Sequence, residues 1–230
     1  MLRALPGRLG TPCLCSVSVK IGMGRISRDR WLLTLPDTAL APGARAATLD
    51  LAAAFLGHPL DMLCAAVPRP VAIHLGCDGT GAGAIRKVYL ECPPAPQGPA
   101  FLALKAGAGG VDLHRYTPAP PRAVIDGLNL PPLLHRRLLA VLEALPEDVA
   151  ALEVTGGPGA RRSVDINLSD LSPPSLPHAR IQALVAAIDP AFDPAEAREL
   201  SHVAIGLSTD GSPFVTLYAA PDWLLPEARG

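Results

Sequence analysis

The sequence predicts an α+β chain: about ten antiparallel strands in five hairpins, closed or nearly closed into a β-barrel, with helices packed outside. Three observations carry that expectation. Short stretches alternate apolar and polar residues with period two and face each other across Gly-rich turns, the pattern of half-buried strands joined as hairpins. Segments with apolar residues three to four apart lie between the hairpins, as amphipathic helices would. Nearly every strand is greasy on one face only, which suits an antiparallel sheet covered on one side.

The elements follow in order. Residues 1–12 read as a loose arm. Val17, Val19, Ile21 and Met23 then alternate with Ser18, Lys20 and Gly22; Gly24 to Asp29 turns the chain and Trp31 to Leu35 returns it. Ala46 to Val67 has helical spacing through Leu49, Leu51, Ala54, Phe55, Leu60, Met62 and Leu63. Gly57-His58-Pro59 should split it in two, because proline lacks the amide donor and clashes inside a helix. The second hairpin pairs Val71–Cys77 with Arg86–Cys92 across a turn, 78–83, whose glycines permit positive φ.

A Pro-rich connector, 93–99, leads to the third hairpin, Phe101–Ala106 and Val111–Thr117. Pro131 to Leu145 is an amphipathic helix built on Leu133, Leu134, Leu138, Val141 and Leu142. The fourth hairpin runs Ala151–Thr155 and Ser163–Leu168. Its alternation groups Leu152 and Val154 with Val164 and Ile166, and Glu153 and Thr155 with Ser163 and Asp165. Two more helices are read over Leu176–Ile188 and Pro194–Leu200, the second with Asp193 as N-cap and proline at its first position. The fifth hairpin is His202–Ser208 with Phe214–Tyr218.

Composition bounds the answer. At 230 residues the chain reads as a single domain, 1–230, long enough to bury a core. A formal charge of −1 gives nucleic acid no electrostatic footprint. The 26 prolines and 21 glycines are dispersed as punctuation, with no low-complexity block. Five cysteines without metal-knuckle spacing imply reduced, structural thiols and a cytoplasmic location. The N-terminus lacks the apolar core of a secretory signal. No segment reaches the roughly 18 consecutive apolar residues of a membrane span.

The polar face decides the functional question. It carries Lys20, Lys87 and Lys105, with His74, His114 and His202. Its acids and amide are Glu91, Asp112, Glu153, Asp165 and Asn167; its aromatics include Tyr89, Phe101, Tyr116, Phe214 and Tyr218, with Thr216 among them. An open sheet of ten strands exposes edges that invite aggregation, and closure removes them. Ten strands make a barrel wider than the eight whose side chains fill the interior, leaving room for a guest. An open sheet with this face in water has the same pattern.

Repeated hairpins with helices outside and a polar interior bearing Lys87 and Tyr89, one residue apart and pointing inward, resemble the ABBA-type aromatic prenyltransferases. The resemblance spans the plan of most of the chain, although the chain is short and no helix separates its second and third hairpins. It implies a barrel lumen that holds an allylic diphosphate while an aromatic or peptide acceptor attacks the allyl carbon. Lys20, Lys87, Tyr89, Lys105 and Tyr218 would hold the diphosphate, since fixed positive charge and donors must meet the charge on the leaving group. Arg86 and Arg115 fall on the helix side by parity. Trp31, Phe101, Tyr116, Phe214 and Thr216 would line the substrate pocket, where aromatic faces shield a carbocation. Glu91 with His74 would be the proton acceptor.

Other readings of the same residues stay open. The lysines can instead pair with the acids as structural ion pairs, and strands favour aromatics for ordinary packing. No resident metal is expected, with Mg2+ left open as a cofactor. One alternative is a non-catalytic binder of a small molecule or peptide. Another is a metal-dependent hydrolase or cyclase using His74, His114 and His202 with Glu91 or Asp112. The Gly-rich turns are not phosphate loops, because none follows a strand and opens a helix.

Overall fold

A computed structural model of the chain describes residues 11–36, 43–156, 161–169, 171, 177–193 and 200–225. Its strands are β1 (Cys13–Gly22), β2 (Arg25–Ser27), β3 (Arg30–Pro36), β4 (Ala72–Asp78), β5 (Ile85–Glu91), β6 (Phe101–Gly107), β7 (Gly110–Pro118), β8 (Ala151–Gly156), β9 (Arg161–Asn167), β10 (Leu200–Leu207), β11 (Pro213–Ala219) and β12 (Asp222–Leu224). Hydrogen-bonded neighbours run β11-β10-β9-β8-β7-β6-β5-β4-β3-β1, and β11 pairs back with β1. The ladder of ten strands therefore closes as an antiparallel β-barrel, and short β2 and β12 add to β1. Helices α1 (Ala44–Leu56), α2 (Asp61–Ala66), α3 (Pro121–Asp126), α4 (Pro132–Leu142) and α5 (His178–Ala186) complete the fold.

The described residues divide into two compact units: those within 11–17, 29–114 and 221–225 form the first, and those within 18–28 and 115–220 the second. Each has its own core. In the first, Leu33, Leu35, Ile73, Leu75, Val88, Leu90 and Leu104 pack beneath Leu56 of α1 and Leu63 of α2. In the second, Ile166, Val203, Ile205, Val215 and Leu217 meet Leu138 of α4 and Ile181 and Leu184 of α5. Each buried aliphatic side chain contributes about 1.5–3 kcal/mol of transfer free energy. The alternation expected of β4, β5, β6, β10 and β11 thus places the aliphatic face against helices within each unit.

Local chemistry explains the helix ends. Gly57 closes α1 at φ 75°, its amide bonded to Ala53 O at 2.8 Å, a left-handed cap that glycine adopts without a Cβ penalty. The expected break at Gly57-His58-Pro59 separates α1 from α2. Helix α4 has proline in its first turn, where the missing amide costs nothing. Alternation did not reveal α3 or the three-residue strands β2 and β12, which are too short to show a period.

Two readings are corrected by the register. Strands β8 and β9 pair Leu152 with Asp165, Val154 with Ser163 and Glu153 with Val164. Directly opposed residues share a face, so Glu153 lies with Val164 and Ile166, while Leu152 and Val154 lie with Asp165 and Ser163. Glu153 gains a partner there: Arg162 Nη2 is 2.6 Å from its Oε1, and Arg162 Nη1 donates to Gly127 O just past α3. Trp31 is the second correction. It opposes Val17 and Cys77 on the helix-facing side and packs its ring 5.7 Å from Phe55 of α1, so it is a core residue and not part of a substrate pocket. The helix expected over Pro194–Leu200 falls largely on 194–199, and most of the expected arm on 1–10; both lie outside the described residues.

Candidate functional site

Within the first unit, the strand face turned away from α1 and α2 is organised in transverse rows. Ser16, Leu32, Gly76, Lys87 and Lys105 stand opposite one another in turn across β1, β3, β4, β5 and β6. One step along the strands, Leu14, Thr34, His74, Tyr89 and Ala103 form the next row, with Trp223 of β12 opposite Leu14. On the other side, Arg30 opposes Asp78. Glu91 opposes Phe101 at the far end.

The row of lysines is electrostatically costly. Lys87 and Lys105 are direct cross-strand neighbours, 7% and 8% exposed, and like charges in that position repel. Part of the cost is offset by Asp78. Its carboxylate makes an ion pair with Lys87 Nζ, and Arg30 Nη1 lies 2.6 Å from Asp78 Oδ2. Burial pushes the Asp78 carboxyl up, but the charges of Lys87 and Arg30, a hydrogen bond from Lys87 and the charge of Lys105 outweigh it. The group is held below its ordinary 3.8. Gly76 keeps this row shallow: a Cβ there would lie 3.3 Å from Leu32 Cδ1 and 3.6 Å from Lys87 Cβ.

The adjoining row brings an imidazole together with aromatic rings. His74, 8% exposed, places Nδ1 2.9 Å from Thr34 Oγ1. Its Nε2 is 3.4 Å from Glu91 Oε2 but has no hydrogen-bond partner in that geometry. Phe101 and Tyr89 stand edge-on to the His74 ring, at 5.4 and 6.3 Å between centroids. Cations, aromatic edges and a carboxylate–imidazole pair thus follow one another along the same strands.

The second unit carries the remaining expected residues. Lys20 Nζ sits 4.3 Å from the centre of the Phe214 ring, a cation–π contact, and opposes Thr216. Tyr218 opposes Ser18 and His202, with the His202 and Tyr218 rings 6.2 Å apart. Tyr116 is half-buried on β7. The structure therefore brings Lys87, Tyr89, Lys105, His74, Glu91 and Phe101 together in one unit and Lys20, Phe214, Thr216 and Tyr218 in the other. Arg86 points to the helices, where its Nη1 donates to Phe55 O.

Three residues escaped sequence reasoning: Arg30, Asp78 and Thr34. Extending β3 back by one residue gives Arg30 the parity of Leu32 and Thr34, and extending β4 forward by one gives Asp78 the parity of His74 and Gly76. That signal was present, but both residues sit at strand ends and read as turn. Among the described residues no three His, Cys, Asp or Glu side chains gather as a metal site. His74, His114 and His202 are not brought together as such a site. Asp78, engaged by Lys87 and Arg30 and set among cations, does not suit Mg2+ either.

Known structures share this fold. Prenyltransferase PriB in its complex with product diphosphate is 15% identical with a TM-score of 0.60, covering 90% of this chain and 79% of that one. The 5-dimethylallyl tryptophan synthase from Streptomyces coelicolor, in complex with DMASPP and Trp, is 14% identical with a TM-score of 0.60, covering 90% and 78%. The NotF prenyltransferase with brevianamide F and DMSPP is 10% identical with a TM-score of 0.55, covering 90% and 79%. No family model and no curated protein matches the sequence. The fold is that of the ABBA-type aromatic prenyltransferases.

Proposed function

We propose that the chain binds an allylic diphosphate at Lys87, Lys105 and Arg30 and transfers its prenyl group to an aromatic ring, free or in a peptide. The observation that carries this reading is the pair of buried lysines directly opposed on β5 and β6. Like charges in that position repel, and the acidic partner Asp78 leaves a net positive cluster to which a diphosphate would be attracted. Among the neighbouring solved structures, one holds product diphosphate, one DMASPP with Trp and one DMSPP with brevianamide F, which supports the same ligand class here.

In this mechanism the allylic C–O bond breaks, a ring carbon of the acceptor forms the new C–C bond, and diphosphate leaves. Negative charge grows on the diphosphate oxygens as the bond stretches, so preorganised cations lower the barrier more than they tighten the ground state. Tyr89, one row away, and Phe101, two rows away, shield the allyl carbon. The ring proton released on rearomatisation passes to the His74–Glu91 pair, whose Nε2 is buried and open to a new partner.

A second reading, an anion-binding protein without turnover, is favoured by Asp78, whose carboxylate already engages Lys87 and Arg30. Calorimetric titration with dimethylallyl diphosphate, followed by assay of prenylated L-tryptophan or a tryptophan-containing peptide, separates the two. Catalysis predicts binding and product in the wild type and neither in Lys87→Ala. Binding without product supports the second reading, and no binding at millimolar ligand refutes both.

A further inference from the structure

We infer that a bulge at Ser201 holds His202 in the tautomer protonated at Nδ1, so that its Nε2 accepts a hydrogen bond from the N–H of an indole or the O–H of a phenol. The aromatic class of the ligand rests on the reading above, and the diphosphate plays no part in it. Strand β10 carries an extra residue against β11: Leu200 opposes Ala219 and His202 opposes Tyr218, which leaves Ser201 as an insertion. A bulge of this kind re-aims a neighbouring side chain. Ser201 is 4% exposed, and its Oγ lies 3.0 Å from Ala219 O, 3.4 Å from Tyr218 O and 3.0 Å from His202 Nδ1.

A hydroxyl has a single proton, and a carbonyl oxygen only accepts. Ser201 therefore donates to Ala219 O and accepts from His202 Nδ1–H. The opposite arrangement would aim the lone pairs of a buried oxygen at two carbonyl oxygens. With the proton fixed on Nδ1, the neutral ring carries its lone pair at Nε2. Among the described residues Ser201 alone hydrogen-bonds this ring. His202 is half-buried, opposed by Asn167 of β9 and Tyr218 of β11, while Val203 on the other face joins the core beneath α4 and α5. Asn167 has its amide oxygen engaged by the Ser169 amide at 2.8 Å, so it does not offer that oxygen to a ligand. The Tyr218 ring stands edge-on to His202 at 6.2 Å. It supplies aromatic surface beside the acceptor atom, which an incoming ring meets by edge or offset contact. A polar hydrogen on that ring then finds one directed partner.

Two measurements on the full chain test this. Ring nitrogen chemical shifts of His202, recorded with the imidazole neutral and assigned by their loss in His202→Phe, should place the proton on Nδ1; a proton on Nε2 overturns the inference. NMR titration with indole, N-methylindole, phenol and anisole then reads the ligand. Replacing the polar hydrogen by methyl should weaken binding about three- to tenfold, the worth of one net hydrogen bond, and the parent compounds should move the Nε2 resonance. That difference should vanish in His202→Phe; if it persists there, the methyl group is merely clashing and the inference falls. Ser201→Ala should release the tautomer and lose part of the preference, while Ser201→Thr should keep both. A Ser201→Ala ring still protonated at Nδ1 overturns the part given to Ser201. Should a variant not fold, the wild-type tautomer and the wild-type methyl comparison decide. A preference for indole over N-methylindole alone assigns an indole, and one for phenol over anisole alone assigns a phenol. Equal binding of each parent and its methylated partner overturns the inference and leaves the prenyl-transfer reading standing. No binding of any probe at millimolar concentration overturns it together with the aromatic acceptor of that reading. The expected preference without any prenylated product would sink prenyl transfer alone.

Discussion

Lys87→Met replaces a buried ammonium by an apolar chain of nearly the same length, and its cost follows from the contacts of Asp78. Removing one member of a buried ion pair usually costs about 3–5 kcal/mol, because the other charge is left unpaired. Here Arg30 stays 2.6 Å from the same carboxylate and the Asp78 side chain is 18% exposed, so about 1–3 kcal/mol is expected. Met also removes the repulsion with Lys105 across the strands, returning about 0.2–1 kcal/mol. The net loss is about 1–2 kcal/mol, which for a chain of this size lowers Tm by about 2–8 °C. Circular-dichroism melts at pH 7 measure it. In the double variant with Asp78→Asn the cost should fall below the sum of the single changes by more than about 0.5 kcal/mol, the spread of independent sites. Strict additivity would refute the argument, since the two groups would then not be stabilising each other.

The remaining expectations are quick to check. The Asp78 carboxyl is held below its ordinary 3.8, so its stabilising contribution is present above that value and is lost as pH falls through the lower folded-state value. Urea unfolding between pH 6 and pH 2 should therefore show a shallower acid limb in Asp78→Asn than in wild type. Thr34→Val leaves His74 Nδ1 without its 2.9 Å partner, which should cost about 1–3 kcal/mol in denaturant unfolding; no change would mean that Nδ1 finds another partner. Gly206→Ala should fail to accumulate as folded protein, because its Cβ would overlap Arg162 O and lie 2.5 Å from Ser163 Cβ on the paired strand. A soluble Gly206→Ala with wild-type Tm would show that β9 and β10 can move apart at no cost. Leu138→Ala, in the core of the second unit at 0% exposure, should lose about 2–5 kcal/mol in the same assay.

Much of the fold was legible because a half-buried strand writes its geometry into every second residue. Val71 to Cys92 could be read as a hairpin with Lys87 and Tyr89 facing away from the aliphatic side, and the register bears this out. Where that logic failed, a specific contact overrode the pattern. In β8 the sequence offered Leu152 and Val154 as the natural partners of Val164 and Ile166. The register instead sets Glu153 beside Val164, because Arg162 neutralises it and bonds the end of α3 as well. No periodicity rule anticipates a salt bridge nine residues away. Trp31 was misjudged for a different reason: a large aromatic is equally at home in a core or a pocket, and only the ring of Phe55 decides. Arg30 and Asp78 were missed because strand ends do not alternate long enough to announce themselves. The cation cluster was therefore half visible, its lysines evident and its arginine and carboxylate hidden.

The transverse rows of the first unit make the strands a ruler. Successive side chains on one face are separated by two residues, about 7 Å. Charge stands at the rung of Lys87 and Lys105, ring edges at that of His74 and Tyr89, and the carboxylate of Glu91 at the next. The reach of any guest held at the lysines is then graduated by backbone spacing, and not by the size of any one side chain. Exchanging Lys87 with Tyr89 would leave composition and net charge unchanged and, at the cost of the Lys87–Asp78 ion pair, slide the positive charge by one graduation. Position along the strand, rather than side-chain size, is then what sets how far apart charge and ring edges stand on this face.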